Sequence, residues 1–158
     1  MSDETFVASV KEMEHTLYRI TCSQLPVEAD REDAIQETLR RAWEKRASLR
    51  NECYLGTWIV RILLNVCHNI QKERKRMVPT ADFPDREMPV YSDAVEFRDC
   101  LFQLEERERM PVVLYYIEGY TIQQVASILR IPQGTVKSRL DRGRRQLRDI
   151  CREEVFEV

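Results

Sequence analysis

Residues 121–150, TIQQVASILRIPQGTVKSRLDRGRRQLRDI, read as two helices with a tight break between them. In the first, Ile122, Val125, Ala126 and Leu129 fall on one helical face. Thr121 can cap its start, with Gln124 three residues on as in a capping box. The break is Arg130-Ile131-Pro132. Proline disfavours the helical region for the residue before it, yet suits the first turn of a new helix. The second helix starts near Gln133 and runs towards Ile150, with Val136, Leu140, Gly143 and Leu147 as its inward stripe. Ser138, Arg142 and Arg145 lie opposite, flanked by Lys137, Arg139, Arg144 and Arg148. Only Asp141 opposes these cations, so the pattern is a helix-turn-helix with a basic second helix. Such a helix enters the major groove of DNA: early residues reach base edges, later cations reach phosphates. The competing reading is an αα-hairpin whose arginines form a solvated face. The gathering of cations on one helix directly after a compact turn favours DNA.

The rest of the chain bounds what that helix serves. At 158 residues there is room for one or two small domains. A hydrophobic content of 43% suffices for ordinary cores, and 33% charged residues with only 4 glycines point to helices rather than sheet. The net charge of −2 means that DNA binding must come from local patches. No apolar run is long enough to span a bilayer, and the opening MSDETFVASV has no basic region followed by an apolar core, so no secretory signal is expected. Cys22, Cys53, Cys67, Cys100 and Cys151 form no C-x-x-C pair, and only His15 and His68 could join them on a metal. Reduced, mostly buried thiols, no metal and a cytoplasmic location are expected.

Ahead of the helix-turn-helix, residues 5–22 read as an amphipathic helix with Phe6, Val10, Met13, Leu17 and Ile20 on one face, broken at Leu25-Pro26. A second helix starts at a cap near Asp30 and runs to about Arg46. Its apolar positions pair as Ala34 and Ile35, Thr38 and Leu39, Ala42 and Trp43. Its other face carries Asp33, Gln36, Glu37, Arg40, Arg41 and Glu44, which solvated i,i+4 pairing explains by itself. Residues 47–56 form a loop, and Thr57 caps a third helix reaching about Arg76 with Trp58, Ile59, Ile62, Leu63, Val66 and Ile70 inward. Arg61, Asn65, His68, Lys72 and Lys75 make a polar stripe that, with Tyr54 and Trp58 nearby, could hold single-stranded DNA. For Trp58 a plain core position competes. Pro79, Pro84 and Pro89 mark 77–93 as an acidic linker. A helix restarts near Ala94 with Asp93 as cap, and another spans about Arg107 to Glu118, stopping at Gly119. The fold class is thus all-α: two small helical domains, 1–76 and 94–158, joined by a Pro-rich linker, the second containing the helix-turn-helix.

This order of parts resembles the sigma factors of bacterial RNA polymerase, specifically the extracytoplasmic-function group, over nearly the full chain. Asp33-Ala34-Ile35-Gln36-Glu37-Thr38 followed by Ala42-Trp43 is similar to the family's helix that docks on the polymerase clamp. Residues 57–65, TWIVRILLN, are similar to the start of its promoter-melting helix, and 111–120 with 131–140 to its C-terminal domain. The run GTVKSR after Ile131-Pro132 is the most specific of these. The chain departs from the pattern at Asn69, where the family often has an acid, and at Glu105, where it often has proline.

The resemblance implies a chain that does no bond chemistry, with no catalytic residue and no cofactor. Asp33, Gln36, Glu37 and Arg40 would bind core polymerase. The loop around Asn51 would capture a flipped base of the melted element, with Arg61, Asn65, His68 and Lys72 along the strand. The linker's acids would sit in a positive channel of the polymerase. Gln133, Thr135, Lys137, Ser138, Arg139, Arg142 and Arg145 would read the upstream element. Core RNA polymerase, promoter DNA and an anti-sigma factor, often membrane-bound in this group, are the implied partners, with no direct membrane insertion by this chain. Two weak grips on one DNA, both held by polymerase, raise the effective concentration of each. A stand-alone helix-turn-helix regulator is the alternative, but it leaves the first domain unused and would normally dimerise on a palindrome. A nucleic-acid enzyme would need a metal-binding carboxylate cluster or an activated nucleophile, and neither is visible.

Overall fold

The computed structural model describes the backbone of residues 1–77 and 93–156 and the side chains of 1–77 and 97–151. The linker expected over 77–93 lies outside the described residues except for its ends, Met77 and Asp93, which are helical. Every regular element among the described residues is a helix. The chain divides into two compact units, Met1–Pro79 and Thr80–Val158.

The first unit contains α1 (Asp3–Glu12), α2 (Glu14–Gln24), α3 (Glu28–Lys45) and α4 (Leu55–Met77). The single helix expected over 5–22 is therefore two. Ser2 caps the first, its hydroxyl accepting the Thr5 N–H at 3.1 Å. The join is Met13, whose N–H is shared between the Ser9 and Val10 carbonyls. The bend lets Phe6 meet Trp43 edge-on at 5.6 Å while Leu17 and Ile20 are buried. α3 begins two residues before the expected cap: Asp30 is helical and instead binds Arg74 of α4 at 2.7 Å. Buried Arg31 closes the α2–α3 connection through the Leu25 and Pro26 carbonyls and the Glu28 carboxylate.

Ala34, Thr38 and Ala42 are the buried stripe of α3, and their small size lets it lie close against α4. Thr38 satisfies its hydroxyl on the Ala34 carbonyl at 2.7 Å. α4 buries Ile59, Leu63 and Val66 as expected. It adds Val60 and Cys67, while Trp58, Ile62 and Ile70 are half-buried. The wider buried face follows from contact with both α2 and α3. Between α3 and α4 the loop holds two single 3₁₀ turns, Arg46–Ser48 and Glu52–Tyr54. Thr57 is not the α4 cap: the helix starts at Leu55, and the Thr57 hydroxyl donates to the Tyr54 carbonyl.

The second unit contains α5 (Asp93–Gln103), α6 (Glu106–Val112), a π-helical turn (Val113–Ile117), α7 (Ile122–Leu129) and α8 (Gln133–Phe156). Asp93 is the first helical residue rather than the cap before it. The helix expected over 107–118 is regular only to Val112. Pro111 has no N–H for the Arg107 carbonyl, and the ladder resumes one residue wider, with Glu118 N–H on the Val113 carbonyl at 3.0 Å. Leu101, Leu104, Val112, Val113, Leu114, Val125, Ile128, Val136 and Leu140 are buried in this core.

The helix-turn-helix matches its sequence closely. Thr121 accepts the Gln124 N–H, and the Gln124 side chain accepts the Thr121 N–H, completing the capping box. α7 ends at Arg130 in the left-handed region, φ 56° and ψ 46°, where a Cβ is unfavourable and glycine is usual. Arg130→Gly is therefore expected to stabilise the second unit by about 0.5–1 kcal/mol, the removed strain less the extra freedom of glycine in the unfolded chain. Thermal unfolding checks this, and a lower midpoint would show that the arginine side chain holds the turn.

Candidate nucleic-acid interface

The first half of α8 carries the residues expected at base edges. Gln133, Lys137 and Ser138 are exposed; Thr135 and Arg139 are half-buried. The Ser138 hydroxyl donates to the Gly134 carbonyl at 3.0 Å, which leaves its oxygen as an acceptor. Opposite them Val136, Leu140 and Gly143 are buried, and Leu147 is half-buried. The buried and exposed faces of α8 are therefore distinct.

The cations further along are less free than the sequence suggests. Asp141 accepts Arg145 at 2.8 Å and lies 3.5 Å from Arg144. Arg142 keeps 66% of its side chain exposed, yet its Nη1 lies 3.5 Å from Oε1 of Glu108. Glu108 is only 2% exposed and belongs to α6. No motif in the sequence marks it. Its spacing was the available signal, because Leu104, Glu108 and Pro111 stand at i, i+4 and i+7, an inward stripe with an acid in its centre.

The first unit offers a second polar surface. Asn65, His68 and Lys72 are exposed along α4, and Arg61 is half-buried. At the mouth of α4 the Asn51 carboxamide oxygen accepts the Cys53 N–H at 3.0 Å and so fixes the Glu52–Tyr54 turn. That leaves its amide NH₂ as a donor. Tyr54 is 62% exposed, whereas Trp58 is half-buried, so Tyr54 is the better placed of the two for stacking. Periodicity could not separate them, since both flank the same helix start.

On α3, Asp33, Gln36 and Arg40 are exposed and Glu37 is half-buried. These four do not form one uniform surface. Arg40 binds Glu37 through Nε at 2.9 Å and Nη2 at 2.7 Å, and Glu44 through Nη1 at 2.7 Å. Arg41 adds a 2.7 Å bond to the same Glu37 carboxylate. The Arg40 hydrogen bonds, then that of Arg41, hold the Glu37 carboxyl down to about 2. The bond to Glu37, then that to Glu44, raises the Arg40 guanidinium. Asp33 and Gln36 stand outside this cluster.

A depressed carboxyl contributes stability above its ordinary value of 4.5, lost as pH falls from there to about 2. Solvent access keeps that contribution small. The Glu37 carboxyl resonance is expected to titrate well below 4.5. Arg40→Ala should return it towards 4.5, and an unmoved midpoint would mean that the pairing is not kept in solution.

None of the five cysteines is in a disulfide. Cys67 and Cys100 are buried, Cys22 is half-buried, and Cys53 and Cys151 are exposed. The thiols are thus not mostly buried, because Cys53 sits in the loop turn and Cys151 is on an exposed position of α8. Among the described residues no group of three His, Cys, Asp or Glu could hold a metal ion, and no helix is long and apolar enough to cross a membrane.

Residues 10–77 match the family model described as Sigma-70 region 2, and residues 94–147 the one described as Sigma-70, region 4. The chain is 32% identical over 139 residues to the ECF RNA polymerase sigma factor SigM of Mycobacterium tuberculosis, covering 84% of this chain and 68% of that protein. It is 31% identical over 127 residues to EcfG of Rhodopseudomonas palustris, covering 75% of this chain and 70% of that one. Among solved structures it is similar to the sigma factor RpoE of Bartonella quintana, crystallised with the anti-sigma factor NepR, with a TM-score of 0.83 and 25% identity. That match covers 94% of this chain and 98% of the other. CnrH, solved with the cytosolic domain of CnrY, shares the fold at a TM-score of 0.75 and 21% identity, over 96% of this chain and 90% of that one.

Proposed function

The chain belongs to the extracytoplasmic-function group of sigma-70 factors, which recognise promoters and start transcription with RNA polymerase, and from that premise we propose how its surfaces divide the work. α8 reads the upstream duplex element from the major groove. The observation that carries this is a helix buried on one face through Val136, Leu140 and Gly143, with Gln133 and Lys137 exposed directly after a compact turn. The Asn51 loop and the α4 stripe of Asn65, His68 and Lys72 take the melted strand. There Tyr54 stacks a base and cations follow phosphates. Asp33 and Gln36 on α3, free of the Glu37–Arg40 cluster, make the principal contact with core polymerase. The chain itself catalyses nothing and works in the cytoplasm. Because RpoE was solved bound to an anti-sigma factor, a partner of that kind is proposed here too. A stand-alone regulator would leave residues 10–77 without a use.

The experiment is holoenzyme binding to a library of upstream elements at two salt concentrations. Lys137→Ala is expected to relax preference at particular base pairs, by roughly 1–3 kcal/mol if the contact is bidentate. Arg145→Ala is expected to weaken all sequences alike and reduce the salt slope by about one unit. The reverse pattern would mean that α8 docks in another register.

A further inference from the structure

We propose that Glu108 is a positioning residue for DNA binding: it holds the Arg142 guanidinium in place from beneath α8. This rests on reading α8 as the recognition helix. Glu108 is 2% exposed, and its Oε2 has no hydrogen-bond partner, while Oε1 lies 3.5 Å from Arg142 Nη1. A carboxylate in such a place is costly, and an apolar residue of similar size would usually serve the core as well or better. Its neighbour Arg109 does not serve as its counter-ion. That guanidinium bonds the Leu104 carbonyl at 3.2 Å and lies 5.0 Å over the Phe102 ring.

The approach of the two helices makes the reach possible. A Cβ on Gly143, the residue after Arg142, would stand 2.7 Å from Val112 Cγ2 and 3.5 Å from the Glu108 carbonyl oxygen. Glycine therefore brings α6 close enough for a side chain from its buried face to meet an arginine on the edge of α8. Arginine is long and rotamer-rich, and ordering it on DNA is normally a cost of binding. Here Nη1 faces Glu108, which leaves Nη2 and Nε of a planar fork for a phosphate. Arg142 is thereby presented to DNA already ordered.

The test is a double-mutant cycle in reconstituted holoenzyme, reading affinity for promoter fragments that carry the upstream element. Glu108→Gln keeps the shape and removes the charge. It is expected to weaken binding about three- to tenfold for all sequences alike. In an Arg142→Ala background it should change nothing further, since there is no longer a side chain to position. Unfolding curves of each variant separate lost fold from lost contact. A measurement on the wild-type chain needs no variant: the Arg142 Nε–Hε group should relax as a rigid group, unlike that of Arg148. Glu108→Gln binding as well as wild type or better, with Arg142→Ala still weaker, would overturn the positioning role. So would an Arg142 side chain as mobile as Arg148. If instead Arg142→Ala binds normally, the fault lies with the proposed docking of α8.

Discussion

Gly143→Leu is expected to cost the second unit about 3 kcal/mol, the upper end of the overpacking range. The first carbon of the new side chain already meets Val112 Cγ2 at 2.7 Å, with the Glu108 carbonyl oxygen and Cβ at 3.5 and 3.6 Å. Valine has almost one rotamer in a helix and cannot swing away. Helix propensity pulls the other way, since glycine in a helix interior is worse than alanine by about 1 kcal/mol. It offsets a fraction of the clash. Both tryptophans, Trp43 and Trp58, belong to the first unit, so their fluorescence reports that unit alone. The expected result is an unchanged fluorescence transition in urea, with part of the far-ultraviolet helical signal lost at lower denaturant. Val112→Ala added to the same chain should recover part of the loss. A single helical transition at the wild-type midpoint would mean that α6 and α8 are not in close contact at Gly143.

Asp33→Arg combined with Gln36→Ala is expected to lower affinity for core polymerase by about 2–3 kcal/mol, roughly 30- to 150-fold. The fold should be untouched, because both side chains are exposed and the buried stripe of α3 is Ala34, Thr38 and Ala42. Arg40→Ala makes the informative contrast. It breaks a cluster that satisfies itself, so its effect on assembly should be smaller. Equal affinities for the double variant and wild type, both well folded, would remove α3 from the docking surface. A larger loss for Arg40→Ala would move the contact onto the cluster.

The helix-turn-helix was legible almost residue by residue because each of its signals is local. Thr121 and Gln124 are three apart, and Pro132 disfavours helix in its neighbour. The stripe of α8 repeats at the helical period. Sequence alone misjudged features decided by a second helix. Thr57 looks like a cap, but the turn at Glu52–Tyr54 already starts α4 at Leu55. Val60 and Cys67 fall off a single-sided stripe, yet two neighbours bury α4 on two sides. The candidate site divides in the same way. Exposure of Lys137, His68 and Asp33 follows from pattern. The diversion of Arg142 to Glu108 depends on a second helix that a list of cations does not contain, whereas the pairing of Arg40 with Glu37 and Glu44 lies within α3 and follows from their spacing.

The division into two units also sets an order of events during synthesis. Phe6, Leu17, Ile20, Leu25, Ile59 and Leu63 all precede residue 77, so the first core is complete in sequence before Leu104 or Val136 has been translated. Ribosomes add about 5–20 residues per second, which gives the nascent first unit seconds to close on its own. Asp33 and Gln36 are then displayed on a finished helix while α8 is still unmade. On the docking proposed for Asp33 and Gln36, an emerging chain would meet polymerase before it has any means of reading the upstream element.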